Sequence, residues 1–113
     1  MPDDANFARI VFTTAATPEE AERLARALVE ERLAACATLV PSVRSIYRWE
    51  GKVEDSTETL LMIKTGAEQL DVLEARLHEL HSYRTPEFLA LRVEAGSRAY
   101  LDWMLANLAR REA

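Results

Sequence analysis

Along the chain the apolar residues change their spacing from segment to segment. Ala8 to Thr14, centred on Ile10, Val11 and Phe12, reads as a first strand. Thr17, Pro18 and Glu20 then supply a cap, a first helical residue and the acid of a capping box. Ala21, Leu24, Ala25 and Leu28 recur at spacings of three and four, an apolar helix face that fades near Arg32 and Leu33. From Cys36 the period becomes two. Beyond Pro41 one face carries Val43, Ser45, Tyr47 and Trp49, and the other Arg44, Ile46 and Arg48. Glu50-Gly51 is a turn signal, with Gly51 free to take a positive φ. A return arm starts at Lys52, crosses the polar run Glu54 to Glu58, and ends in Leu60-Leu61-Met62-Ile63. Thr65 and Glu68 form a second capping pattern, and Leu70, Leu73, Leu77 and Leu80 make the stripe of a second helix. Glu87 to Val93 reads as a fourth strand. Ser97 caps a last helix whose expected buried face is Leu101, Met104, Leu105 and Leu108.

This order is βαββαβ plus a C-terminal helix. Crossovers of such length give the α+β, ferredoxin-like plan, an antiparallel sheet with two helices on one face. A doubly wound parallel sheet competes, but the tight turn at Glu50-Gly51 forces the second and third strands to run antiparallel. Residues 1–113 form a single domain, with residues 1–6 expected to be disordered.

The long hairpin of the second and third strands is the feature that implies assembly. Each arm could reach about 45 Å if unbroken, whereas a domain of this size has a radius of gyration of about 13 Å. The tip therefore projects past its own helices with Tyr47 and Trp49 on one face. An uncovered aromatic ribbon is an aggregation hazard, and a closed ring of identical subunits removes it. The competing possibility is that Pro41 and the polar middle of the return arm break the ribbon and let it fold back on one chain.

Composition narrows the function classes. The chain has 113 residues, a formal net charge of −5, 49% hydrophobic and 29% charged residues. The negative balance argues against nucleic acid as a partner. A single cysteine, Cys36, rules out an intrachain disulfide. No apolar run is long enough to cross a bilayer, and the acidic start has no leader pattern. A cytoplasmic location without membrane association is expected.

Ala35-Cys36-Ala37, Pro41 and Ser45-Ile46-Tyr47-Arg48-Trp49-Glu50-Gly51-Lys52 together resemble the signature of the CutA family of divalent-cation tolerance proteins. The likeness continues through Glu58, Leu60 to Thr65, Leu80 to Tyr83, Pro86-Glu87 and Tyr100 to Trp103, nearly the whole chain in order. The resemblance implies a homotrimer similar in architecture to the PII signalling proteins. It also implies a link to tolerance of copper and other divalent metals, with copper binding in some bacterial members. One segment departs from the pattern. The family usually has His-Pro-Tyr-Glu-x-Pro-Glu where this chain has His81-Ser82-Tyr83-Arg84-Thr85-Pro86-Glu87, so a cation replaces a carboxylate beside His81.

Cys36 and His81 are the candidate metal ligands, a thiol and an imidazole suited to copper or zinc. Cys36 equally fits a small buried residue at a strand start, and His81 a cap at a helix C-terminus. The topology sets them at opposite ends of the sheet, so a site containing both needs two subunits. Tyr47, Trp49, Lys64, Tyr83 and Glu87 are candidates to line a cleft between subunits. The alternatives are interface packing for Tyr47 and Trp49 and an ion pair of Lys64 with Glu87. No nucleophile–base pair, phosphate loop or carboxylate pair stands out, so the chain reads as a non-enzyme with no required cofactor. Three functions remain open: copper-linked metal tolerance, a PII-like module that binds a small molecule in the cleft, and a trimeric scaffold without a ligand.

Overall fold

One two-residue turn organises the sheet. Glu50 and Gly51 both take positive φ, 51° and 83°, the geometry whose twist matches that of paired strands. It joins β2 (Cys36–Trp49) to β3 (Lys52–Gly66) in one antiparallel ladder from Cys36 opposite Lys64 to Trp49 opposite Lys52. The computed structural model describes residues 4–110. Of the N-terminal segment, residues 1–3 lie outside the described residues, and Asp4–Phe7 is a short 3-10 turn. The other elements are β1 (Ala8–Ala15), α1 (Pro18–Glu30), α2 (Leu70–Leu80), β4 (Leu89–Arg92) and α3 (Arg98–Ala106). The strands lie in the order β2-β3-β1-β4 and every neighbouring pair is antiparallel. The ferredoxin-like plan and the C-terminal helix are those read from the sequence.

The ribbon does not fold back at Pro41. The register shifts between Val40 and Val43, where Ser42 takes φ 62°, and pairing then resumes to the tip. A bulge absorbs the proline, which has no N–H to give to a ladder. The chain is therefore elongated, 48 × 25 × 22 Å.

Alternation along the strands produces two unlike faces. Val11, Leu61 and Ile63 point toward α1 and α2 and are buried with Leu24, Leu28, Leu73 and Leu77. On the other face Ile10 lies opposite Lys64 and Leu91, and Phe12 opposite Met62 and Leu89. Among the described residues that face is closed at one end, where Leu101 and Met104 of α3, with Leu108 just beyond the helix, pack against Ala8 and Ala35.

Local patterns were redirected where longer-range partners won. The Thr17 hydroxyl accepts from the Glu20 N–H at 3.1 Å, but the Glu20 carboxylate turns away to Ser82, so only half of the expected box forms. Thr65 does not act as the second cap. β3 runs through Thr65 to Gly66, and the Thr65 hydroxyl donates to the Leu33 carbonyl at 2.7 Å. The fourth strand is only Leu89–Arg92. Leu80, the last residue of α2, and Leu105 of α3, expected on buried stripes, are exposed.

Candidate functional site

His81 ends α2, donating its N–H to the Leu77 carbonyl at 2.9 Å, and the extended backbone there drives its ring under the end of β1. Ring Nε2 lies 2.7 Å from the Thr14 carbonyl, and Nδ1 lies 3.0 Å from the Tyr83 N–H. A carbonyl only accepts and an amide N–H only donates, so the ring donates from Nε2 and accepts at Nδ1. The side chain is fully buried and both nitrogens are engaged. A metal ion at His81 has to displace one of these bonds.

Beside it, Glu20 on α1 accepts from the Ser82 N–H at 2.8 Å and from the Ser82 hydroxyl at 2.9 Å. Burial pushes this carboxyl up, but the two hydrogen bonds from Ser82 hold it below the usual range. Glu20 thus ties the start of α1 to the exit of α2.

Next along the same segment, the Tyr83 hydroxyl donates to Glu58 on β3 at 2.6 Å. Burial, and then the Glu58 carboxylate, push the Tyr83 phenol well above its ordinary value. Glu87 is pushed up by burial and by the negative charge of Glu58. Two carboxyls and a phenol therefore meet at the end of β1, with the Tyr83 ring 4.8 Å from the ring of His81. Glu58 had a sequence signal: its parity places a carboxylate in line with Leu60 and Met62. Glu20 had none beyond a capping role, since its partner lies sixty-two residues away.

Cys36 sits at the other end. Lys64, opposite it in the ladder, donates to the Thr38 hydroxyl and lies 3.7 Å from the Cys36 sulfur. The Tyr100 phenol is pushed up by burial and by Cys36. Cys36 is level with Ile10, whereas His81 is held at Thr14. Four residues along the sheet and two ladders across it put them about 13 Å apart in one direction and about 10 Å in the other. One chain does not bring the thiol and the imidazole together, as the topology led us to expect.

The cleft candidates divide in the same way. Tyr83 and Glu87 adjoin Glu58. Tyr47 bonds Ser56 at 2.9 Å on the ribbon, and Trp49 lies at the tip, both partly exposed. Lys64 belongs to the Cys36 end, about 20 Å along β3 from Glu58, so it does not pair with Glu87 within the chain. Among the described residues no group of three or more His, Cys, Asp or Glu side chains is placed to hold a metal ion. No helix among them is long and apolar enough to cross a membrane.

Comparison with known proteins matches residues 9–107 to the family described as CutA1 divalent ion tolerance protein. The chain is 46% identical over 98 residues to the divalent-cation tolerance protein CutA of Thermus thermophilus, covering 87% of this chain and 95% of that one. It is 41% identical to the chloroplastic protein CutA of Arabidopsis thaliana, covering 84% of this chain and 52% of that protein. The crystal structure of CutA1 from Oryza sativa superposes with a TM-score of 0.91 at 36% identity, covering 96% of this chain and 99% of that one.

Proposed function

Because the chain belongs to the CutA1 divalent ion tolerance family, we propose that it acts in divalent-cation tolerance as a cytoplasmic homotrimer whose ligand sites are completed between subunits. The observation that carries this reading is the sheet face left open by its own chain. Ile10, Phe12, Met62, Leu89 and Leu91 share it, and it runs on into the ribbon that bears Tyr47 and Trp49. Apolar surface of this kind belongs against another copy. The number three comes from the resemblance to the PII-like trimers.

The residues of one chain do not fit a resident divalent ion. Cys36 offers a single thiol beside a lysine, and His81 is already bonded at both nitrogens. Copper binding in this reading uses Cys36, with further ligands, His81 among them, brought by a neighbouring subunit. Light scattering on the eluting protein gives the mass; a monomer at micromolar concentration ends the assembly reading. Copper calorimetry on the native chain, Cys36→Ala and His81→Ala tests the shared site. Unchanged affinity in both variants removes it.

A second reading is favoured by the pair Glu58 and Glu87 around Tyr83. Two half-screened carboxyls suit a small molecule rich in hydrogen-bond donors, bound at the seam in a PII-like signalling role. A rise in melting temperature with such metabolites and none with metals supports it over copper binding. Silence with both leaves the trimeric scaffold.

A further inference from the structure

The sheet has a notch where β1 stops. Ala15, its last residue, stands opposite Thr59 of β3, and β3 continues from there toward the ribbon tip. Glu58 is the first residue of β3 beyond that pairing, and Glu87 lies two residues before β4 begins. Tyr83 crosses from the exit of α2 and donates its hydroxyl to Glu58 Oε2 at 2.6 Å.

The hydrogen bonding of these carboxyls is incomplete. Glu58 is only 7% exposed, yet its second oxygen has no hydrogen-bond partner among the described residues. The unpaired side-chain atoms sealed from solvent there are the hydroxyls of Thr13 and Thr59, so this Glu58 oxygen is open to a guest. Glu87, pushed up by burial and by Glu58, accepts no hydrogen bond from the described residues. No ion pair among them involves either carboxyl, and Arg84, exposed nearby in the sequence, is in none of those pairs. The surroundings are aromatic. The Tyr83 ring lies 4.8 Å from that of His81, and Tyr47, bonded to Ser56, adds to the upward push on Tyr83 after burial and Glu58.

A carboxylate out of water with a free lone pair favours any donor that can reach it. The described residues supply no set of three ligands for a metal ion. A guanidinium needs no such set. It is a planar fork of N–H donors that matches carboxylate oxygens, and its flat face stacks on phenol rings.

We infer that Glu58, Tyr83 and Glu87 bind a small organic cation of the guanidinium class, whose N–H groups reach the free oxygens of both carboxyls and whose plane lies against the tyrosine ring. This rests on the reading of the group as a small-molecule site at the seam, and adds the charge and shape of the guest.

The test titrates the full-length protein in its native assembly, at low salt, with phenylguanidinium and, separately, with phenylurea, an uncharged probe of similar shape. Calorimetry gives the affinities and amide chemical shifts give the place. Phenylguanidinium is expected to shift Glu58, Tyr83 and Glu87, to bind roughly tenfold or more tightly than phenylurea, and to weaken as salt is raised. Glu58→Gln and the less buried Glu87→Gln are each expected to lower its affinity roughly tenfold and to narrow the preference. Equal affinity for the two probes, or tighter binding of phenylurea, overturns the cation and leaves a small-molecule site standing. Binding of neither probe, or shifts confined to another region, overturns the site as well.

Discussion

The two faces of the sheet are made from the same strands and end in opposite conditions. On the helix side, Val11, Leu61 and Ile63 have no exposed surface. On the other, Leu89 and Leu91 remain 59% and 47% exposed, although both are leucines in a regular ladder. The difference does not lie in hydrophobicity, which alternation supplies to both faces. It lies in where the chain sends its helices: α1 and α2 both return across one side, and α3 covers only an end of the other. The covered face makes this chain fold; the open face is the one that the proposed assembly would cover.

The largest effect that separates them is a pair of leucine substitutions. Leu61→Ala cuts a cavity in the closed core and is expected to cost about 2–5 kcal/mol in urea unfolding. Leu91→Asp is expected to leave circular dichroism unchanged while light scattering reports a fall in mass. If Leu91→Asp keeps the mass of the native assembly, the open face is not where copies meet.

Next in size is the tie that holds the closed side together at its margin. Glu20→Gln weakens two bonds to Ser82 and is expected to cost about 1–3 kcal/mol at pH 7. The folded carboxyl titrates below its unfolded value, so its contribution is complete above the unfolded value of about 4.3. It is lost as pH falls through the lower, folded value. The native and Glu20→Gln unfolding curves should therefore converge in acid. Curves that stay parallel to low pH show that the carboxylate charge is not what Ser82 holds.

A smaller effect belongs to the ribbon that extends the open face. Gly51 has φ 83° and nothing within 4 Å of where a Cβ would sit. Gly51→Ala therefore meets no clash and pays only for the left-handed backbone, about 1 kcal/mol. Loss of assembly with little loss of secondary structure would place the tip in the contact between copies. An unchanged mass with a slightly lower midpoint would make the turn a local matter.

These features differ in how legible they are from residue order. The period of two, the Glu50-Gly51 turn and the stripe Ala21 to Leu28 are local, and they predicted the hairpin and α1 closely. The capping reading of Thr65 failed because its hydroxyl found Leu33, thirty-two positions back, and no short window records that choice. Glu20 met Ser82 for the same reason. The site residues were chosen by chemical type, so Cys36, His81 and Lys64 could be named but not placed relative to one another. The fold separates them, and only a second copy can reunite them, which one chain's periodicity does not encode.

The smallest effect asks whether the open face carries chemistry as well as contacts. Glu87 is pushed up by burial and by Glu58, so its charged form is disfavoured in the folded chain. The sign is opposite to that of Glu20. The folded state is favoured below the unfolded value, and that advantage is lost as pH rises through the folded one. Glu87→Gln removes the repulsion with Glu58 and is expected to stabilise the protein at pH 7 by less than about 1 kcal/mol, with the gain vanishing below about pH 4. Unfolding midpoints at pH 7 and pH 4 measure it. A loss at pH 7 has a different meaning: in the assembled protein the two carboxylates face a cationic group, and neutralising one of them removes its partner. That result would turn the Glu58, Tyr83 and Glu87 group from an electrostatic cost of folding into a binding site completed by assembly.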